Sequence, residues 1–241
     1  MMPAEGSVTD ALILVPGYNH DPDDPHHSPS RIPDGHFYLW QTGAFSGRPV
    51  IPFPWYSGRQ FRDVLRAWRA GYWDTYKWAY GDLSVAAAKR LSRMPPGHPV
   101  FAHSLGSRVV MKALEFTPGL FCRVILCNGA VHQKEALAVM ESNPGVEFLN
   151  VAVKTDHVLS LAGAWFGPAL GREATVGTGI AKYPGNVRQV VLDDPENQAW
   201  YKDHYGWSLQ GDDPNSVGDH SYSFQWPGNW PLFHAFLQDG L

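Results

Sequence analysis

Three side chains in this 241-residue sequence are of the types that together make a hydroxyl group reactive towards a carbonyl: Ser104, Asp156 and His220. A serine hydroxyl is a weak nucleophile until an imidazole takes its proton. That imidazole needs a carboxylate to hold one tautomer and to stabilise the cation it becomes. In this scheme Ser104 is the nucleophile, His220 is the base and Asp156 orients the base. The three side chains can act only if the fold brings them to one point.

Ser104 lies where the sequence predicts a tight turn between a strand and a helix. Residues 99–103 favour a strand, and residues 108–114 carry a helical pattern. The residues two before and two after the serine are Ala102 and Gly106, both small. A strained turn of this kind requires small neighbours, because strand and helix come too close together for larger side chains. The pattern therefore predicts one hydroxyl raised above the end of a strand.

Short apolar runs that alternate with helical patterns predict the elements that position these residues. The runs are typical of strands buried on both faces, as in a parallel sheet. Strands are predicted at 11–15, 50–53, 99–103, 121–128, 147–154 and 187–192, and helices at 61–82, 83–94, 108–114, 133–140 and 230–237, the last with Asn229 as its N-cap. This alternation predicts one α/β domain over residues 1–241, with a mainly parallel sheet of about six strands and helices on both faces.

The candidate residues follow predicted strands at the end where such sheets carry their sites. In doubly wound sheets the site lies beyond the carboxyl ends of the strands, next to a reversal of strand order, here expected between strands one and three. Ser104 follows the third strand and Asp156 the fifth. His220 comes after the sixth strand, directly before the closing helix, which favours it as the base. His204 is the alternative base, but we expect it on the surface of a polar loop.

The segment Ala102-His103-Ser104-Leu105-Gly106 resembles the Gly-x-Ser-x-Gly nucleophile elbow of the α/β-hydrolase superfamily, with alanine in place of the first glycine. The order Ser, Asp, His along the chain is also the order in that family. The resemblance extends from about residue 11 to the C-terminus and implies a trimmed α/β-hydrolase fold. Pro16-Gly17-Tyr18-Asn19 resembles the family's His-Gly motif, with proline in place of histidine. The resemblance thus implies an oxyanion hole made by the backbone amides of Leu105 and Tyr18.

These features lead us to expect a serine hydrolase that cleaves a carboxylic ester or related small acyl compound through an acyl-enzyme, without a cofactor or a metal. Peptidases, thioesterases and amidases use the same side chains, so the substrate stays open. The alternative is a non-catalytic protein of the same fold that binds a small apolar ligand or a protein partner. The presence of all three triad residues favours the enzyme, because a binding protein does not need them together.

The composition excludes several other classes of partner. The chain has a net charge of −4, 44% hydrophobic residues and no run of Lys or Arg, so we expect neither a nucleic acid nor an anionic membrane as partner. The first residues lack the pattern of a secretory signal, and no apolar run approaches the roughly 20 residues that span a bilayer, so we expect a cytoplasmic protein. Cys122 and Cys127 lie on opposite faces of one predicted strand and cannot pair with each other. The oligomeric state is left open.

Two further clusters have alternative interpretations. One acidic and imidazole-rich cluster could be a metal site, but its two interspersed prolines favour a solvated loop; it comprises Asp21, Asp23, Asp24, His26 and His27. The aromatic residues at 53–56, 68–80 and 200–207 could form core, an acyl pocket or a cover over the site. His103, next to the nucleophile, is predicted to be a packed, hydrogen-bonded histidine that points away from the serine.

Overall fold

Six strands form one all-parallel sheet. The computed structural model describes residues 11–18, 20, 43, 46–57, 79–156, 158–159, 182–211 and 220–238. The strands are β1 (Leu12–Val15), β2 (Val50–Pro52), β3 (His98–His103), β4 (Phe121–Cys127), β5 (Glu147–Ala152) and β6 (Val187–Val191). They lie in the order β2-β1-β3-β4-β5-β6. The chain therefore reverses its direction of growth at β1, next to β3, as the sequence predicts.

The helices of the described residues are short and follow the strands. They are α1 (Ser84–Leu91), which continues a π-helical turn (Ala79–Leu83), α2 (Gly106–Phe116), α3 (Gln133–Ser142), α4 (Pro195–Tyr205), α5 (Tyr222–Gln225) and α6 (Trp230–Gln238), the last preceded by a 3₁₀ turn (Pro227–Asn229). Among these helices, none is both long and apolar enough to cross a membrane.

Alternate residues of each central strand enter different apolar cores, because successive side chains of a strand point to opposite faces. In β3, Val100 and Ala102 join the core that also holds the apolar faces of α1, α2 and α3. Phe101 joins the other core, which is built with α6. Its ring meets the edge of Phe233 at 5.1 Å between centroids. The sheet is thus covered by helices on both faces, which explains why its strands are continuous apolar runs.

All six predicted strands are confirmed, with ends that differ by at most two residues. Most of the predicted helix at 61–82 lies outside the described residues. The predicted N-cap Asn229 has a different set of partners: its side chain bonds the backbone of Gln210 and the carbonyl of Ser223. Cys122 and Cys127 are both free thiols, as their spacing predicts.

Helix α4 contradicts the prediction of a polar loop around His204. Its N-terminus is capped by Asp194, whose carboxylate accepts from the amides of Glu196 and Asn197, and Pro195 occupies its first turn. It ends at Gly206, which is left-handed with φ 71°. The helix buries none of its residues, so it has no apolar stripe that a periodicity search can detect. The residues at its two ends, Asp194, Pro195 and Gly206, are the sequence features that indicate this helix.

Candidate active site

The turn that carries Ser104 is strained and firmly held. Ser104 has φ 51°, a left-handed conformation that costs about 1–2 kcal/mol in a residue with a side chain. Its amide donates to the carbonyl of Cys127 at 3.0 Å, and its carbonyl accepts from the amide of Ala130 at 2.9 Å. The turn is thus tied to the end of β4. Ser104 is 8% exposed, and its hydroxyl has no hydrogen-bond partner among the described residues.

Both glycines around this turn are required by close backbone contacts. A Cβ atom on Gly106 would lie 2.5 Å from the carbonyl oxygen of Val15 and 2.6 Å from that of Pro16. A Cβ atom on Gly17 would lie 2.7 Å from the Cβ of Ser104. Real Cβ atoms do not approach other atoms so closely. The small residue predicted two positions after the serine is therefore needed, and the loop after β1 lies directly against the serine.

The two amides expected to form an oxyanion hole follow neighbouring strands. Leu105 precedes α2, whose N-terminus carries a partial positive charge. Its amide donates to no acceptor in the part of the chain that the structure describes. Tyr18 follows β1 and is half-buried. The preceding carbonyl of Pro16 accepts a 2.8 Å hydrogen bond from the indole of Trp55, a fully buried residue, which fixes the peptide plane ahead of Gly17.

Asp156 and His220 are in direct contact. The Nδ1 of His220 lies 2.6 Å from the Oδ2 of Asp156, and the side chains are 12% and 1% exposed. The Oδ1 atom accepts from the amide of Leu159 at 3.0 Å. Burial acts to raise the pKa of Asp156, but the hydrogen bond and the charge of His220, with the hydrogen bonds from Asn128 and Leu159, outweigh it and lower this pKa below its ordinary value. Because an ionised carboxylate only accepts, Nδ1 of His220 carries the proton, and Nε2 of the neutral ring is the acceptor.

The structure does not join Ser104 to His220 by a hydrogen bond. The Nε2 of His220 is buried and has no partner within the described ranges. The hydroxyl of Ser104 has none either. His103, which precedes Ser104 in the chain, contacts the ring of His220, so His220 lies at the end of β3 that carries Ser104. Catalytic hydrogen bonds are often long or misaligned without substrate and tighten in the complex.

Asn128 is a member of this cluster that the sequence does not reveal as one. It follows β4, between the strand that precedes Ser104 and the strand that precedes Asp156. Its Nδ2 donates to the Oδ2 of Asp156 at 2.7 Å, and its backbone is left-handed with φ 48°. A flipped amide would present an oxygen to the ionised carboxylate, so Asp156 itself fixes the orientation of Asn128. The one sequence feature that indicates Asn128 is its position: it is a polar residue directly after β4, where no carboxylate is present.

The amide of Asn128 is in turn held by two buried side chains. The hydroxyl of Ser223 donates to the Oδ1 of Asn128. The thiol of Cys127 lies 3.3 Å from the Oγ of Ser223 and 3.5 Å from the Oδ1 of Asn128. Since Ser223 gives its one proton to Asn128, the thiol is the donor to one of these two oxygens. Burial raises the pKa of Cys127 to about 12, so it remains a thiol. A continuous buried hydrogen-bond network thus joins Cys127 and Ser223 to Asn128, and Asn128 to the carboxylate of Asp156.

The loop that carries Asp156 is fastened from the neighbouring strand. Asp193, which follows β6, accepts from the amides of Lys154 and Thr155 at 2.9 and 2.8 Å and from the hydroxyl of Thr155 at 2.9 Å. Lys154 also pairs with Asp194 at 2.7 Å on the surface. These contacts close the turn after β5 and leave the carboxylate of Asp156 directed inward.

The remaining histidine predictions have different outcomes. His204 is exposed, as predicted, but it lies on α4, where its ring stacks on Trp200 at 4.4 Å and its Nδ1 contacts the carbonyl of that residue. His103 is packed and hydrogen-bonded, as predicted, but its partner is the candidate base His220. The aromatic residues at 200–207 stack mainly on one another.

The side chains of a charged cluster beside α2 pair with one another. Arg108 donates to the carboxylate of Glu135 and to the carbonyl of Tyr80, and its guanidinium lies 3.8 Å from the centre of the Tyr80 ring. Lys112 lies 2.9 Å from the same carboxylate. Burial acts against ionisation of Glu135, but the charges and hydrogen bonds of Arg108 and Lys112 together outweigh it and lower the pKa of Glu135. The cluster therefore joins helices α2 and α3 and leaves neither cation for a ligand.

No metal site is found in the part of the chain that the structure describes: no three His, Cys, Asp or Glu side chains there are arranged to hold an ion. The acidic and imidazole-rich cluster at residues 21–27 lies outside that part. A scan against protein-family models gives no match for the chain, and no curated protein matches it. The interpretation of the site therefore depends on its own geometry.

Proposed function

We propose that the protein is a serine hydrolase of the α/β-hydrolase fold that cleaves a carboxylic ester or a related acyl compound through an acyl-enzyme. The observation that carries this proposal is the buried contact of 2.6 Å between Asp156 and His220, whose ring packs against His103, the residue before the strained Ser104. The parallel six-stranded sheet and its reversal at β1 support the assignment of the fold. An ordinary loop acid or N-cap has no need of a buried imidazole as partner.

Each residue has one role in the proposed reaction. The Oγ of Ser104 attacks the carbonyl carbon while its proton passes to the Nε2 of His220. Asp156 stabilises the imidazolium that forms and holds Nδ1 protonated. The developing oxyanion accepts hydrogen bonds from the amides of Leu105 and Tyr18, each worth about 3–4 kcal/mol where a single donor has been removed in other enzymes. His220 then protonates the leaving group. In the second half of the reaction His220 takes a proton from water, the water attacks the acyl-enzyme, and the proton returns to the Oγ of Ser104 as the acid is released.

The positions of the two backbone amides in the fold support the proposed oxyanion hole. The amide of Leu105 lies at the start of α2, and the loop with Tyr18 is pressed against Ser104 through Gly17. Preorganised donors of this kind act without reorganisation at the moment of reaction. The proposed reaction uses only these residues and water, with a small acyl compound as the substrate. Cleavage of thioesters, amides or peptides needs the same groups, so comparison of the turnover of these substrates with that of esters decides between the activities.

Turnover of a series of p-nitrophenyl esters tests the proposal. Replacement of Ser104 by alanine is expected to lower kcat by about 10⁶-fold, as removal of a triad nucleophile does elsewhere. The matched control is Ser107→Ala, which removes a fully buried hydroxyl three residues further along the same turn and helix. The dependence of kcat/KM on acyl length defines the pocket. Equal turnover by the wild-type protein and Ser104→Ala would contradict the proposal. Binding of the ester series by the wild-type protein without any cleavage would support the alternative of a binding protein.

A further inference from the structure

His103 and His220 are joined by two contacts. The Nε2 of His103 lies 3.2 Å from the backbone carbonyl oxygen of His220. The two rings also pack together, with centroids 4.8 Å apart and planes inclined at 47°. On its other side the ring of His103 meets the edge of Phe224 at 4.7 Å. His103 is 8% exposed, so the ring is confined between these neighbours.

The contact with the carbonyl of His220 and the burial of the ring determine the tautomer and the charge of His103. A carbonyl oxygen only accepts, so the Nε2 of His103 must carry a proton and donate it. Burial, and next the charge of His220, lower the pKa of His103 from 6.5 to about 3, although the hydrogen bond with the His220 carbonyl and the charge of Asp156 act in the opposite direction. His103 is therefore a neutral ring with one fixed tautomer, and it places no positive charge beside the imidazolium that forms on His220.

We propose that His103 is a positioning residue that fixes the backbone of His220 above the carboxyl end of β3, so that the imidazole is aimed at Ser104. This inference rests on the proposed function, since it assigns His220 as the base. Asp156 holds the imidazole of His220 at Nδ1, and His103 holds the main chain of the same residue. The two contacts come from the ends of different strands, β5 and β3.

The position of His103 in the chain makes the arrangement effective. It is the last residue of β3 and the direct neighbour of Ser104, so any displacement of the nucleophile turn is shared by the donor that holds His220. A base attached only through Asp156 could rotate about that single hydrogen bond. With its carbonyl also held, the Nε2 of His220 has a fixed distance from the strand end. A misplacement of about 1 Å in such a constellation costs about 10²-fold in rate.

The test compares variants of His103 with variants of His98 at the other end of the same strand. His98 is also buried, and its Nδ1 bonds a backbone carbonyl, that of Ala11, at 3.0 Å. His103→Phe keeps an aromatic ring but removes the donor, whereas His103→Gln keeps an N–H at the reach of Nε2. His98→Phe is the matched control for loss of a buried imidazole from β3. Thermal unfolding of each variant measures the structural cost separately.

We expect His103→Phe to lower kcat about 10²-fold with little change in KM, and His103→Gln to restore most of the activity. His98→Phe is expected to lower stability by a similar amount while kcat stays close to that of the wild type. If His103→Phe fails to fold, His103→Asn replaces it, because its shorter amide does not reach the carbonyl of His220. Equal losses of kcat in His103→Phe and His98→Phe, or wild-type kcat in His103→Phe, would overturn the inference.

A spectroscopic readout separates this inference from the proposed function. The proton shared by His220 and Asp156 is expected to give a strongly downfield proton NMR signal in the wild-type protein. His103→Phe is expected to shift or broaden this signal, and His98→Phe to leave it in place. If the wild-type protein hydrolyses no ester, the proposed function fails, but a changed signal in His103→Phe alone still supports positioning of His220. An unchanged signal in His103→Phe contradicts it.

Discussion

The two edges of the sheet are built differently, although the same strands end at both. At the amino edge the turns before β2, β3 and β4 each contain a glycine with positive φ: Gly47 at 68°, Gly97 at 93° and Gly119 at 74°. At the carboxyl edge the positive φ angles belong to Ser104 and Asn128, which carry side chains. Glycine adopts this conformation at little cost, whereas other residues are strained.

The surroundings of the carboxylates at the two ends of β5 also differ. At the amino edge, Glu147 and Arg123 form an ion pair of 2.8 Å on the surface, where such pairs contribute little to stability. At the carboxyl edge, Asp156, Asn128 and His220 are joined by buried hydrogen bonds, and the buried Nε2 of His220 has no partner among the described residues. Strain and buried polar groups that the fold does not need for its own stability are typical of functional sites. The features on which the proposed site depends are thus found at the carboxyl edge of the sheet.

Among the variants that compare the two edges, the largest effect is expected at Asp156, which follows the carboxyl end of β5, and none at Glu147, at the amino end of the same strand. Replacement of Asp156 by asparagine is expected to lower kcat by about 10⁴-fold, because the amide favours the wrong tautomer of His220. Replacement of Glu147 by glutamine, at the amino end, is expected to leave kcat unchanged. Ester hydrolysis by the purified variants, with circular dichroism to confirm folding, measures both. Comparable activity in the two variants would mean that the carboxyl edge has no special role.

Two glycines on either side of β3 give the next largest effect. In Gly106→Ala the new Cβ meets the carbonyl oxygens of Val15 and Pro16, so the backbone around Ser104 must move. We expect a loss of about 10²-fold in kcat from this displacement. A Cβ on Gly97 meets nothing within 4 Å. Gly97→Ala is therefore expected to lose about 1–2 kcal/mol of stability from its positive φ and to keep its activity.

If Gly97→Ala loses activity as strongly as Gly106→Ala, the difference between the two edges is not supported. Urea unfolding of both variants, measured beside kcat, separates loss of stability from loss of rate.

The smallest expected effect is a pH dependence of stability that belongs to His103. Its pKa is lowered from 6.5 to about 3 by burial, with His220 and Asp156 as the charged neighbours that face it. Between these values the unfolded chain binds a proton that the folded protein does not. Above pH 6.5 this titration has no effect on the free energy of unfolding. Below pH 6.5 it lowers the free energy of unfolding by about 1.4 kcal/mol for each pH unit. Between pH 6.5 and 5 this amounts to about 2 kcal/mol.

Urea unfolding of the wild-type protein and His103→Gln between pH 5 and 7 measures this contribution, because the variant lacks the titrating ring. The wild-type protein is expected to lose about 2 kcal/mol more than the variant over the acidic part of this range. Parallel curves would mean that His103 is not buried as a neutral ring.

The sequence predicts the parts of the site that depend on local structure. The turn at Ser104 is recognisable because the small residues around it are required by the contacts of its own backbone. The strand ends that precede Ser104, Asn128 and Asp156 are recognisable from apolar runs. His220 can be chosen over His204 by its place before the last helix, and the structure pairs His220 with Asp156.

The sequence does not predict the contacts that depend on which segments become neighbours. The amide of Asn128 reaches Asp156 because β4 lies between β3 and β5, and the ring of His103 reaches His220 because His220, two residues before α5, lies against the end of β3. Neither contact leaves a spacing or a periodicity in the sequence. Helix α4 leaves no apolar periodicity in the sequence for a different physical reason, since it buries none of its side chains.

The central claim is that the hydroxyl of Ser104 reacts as a nucleophile. Covalent labelling by a fluorophosphonate, followed by intact-mass measurement and identification of the modified peptide, tests this claim most directly. The account predicts one adduct on Ser104 in the wild-type protein and in Ser107→Ala, and no adduct in Ser104→Ala. A wild-type protein that folds and remains unlabelled, or a Ser104→Ala variant that is labelled to the same extent, would contradict it.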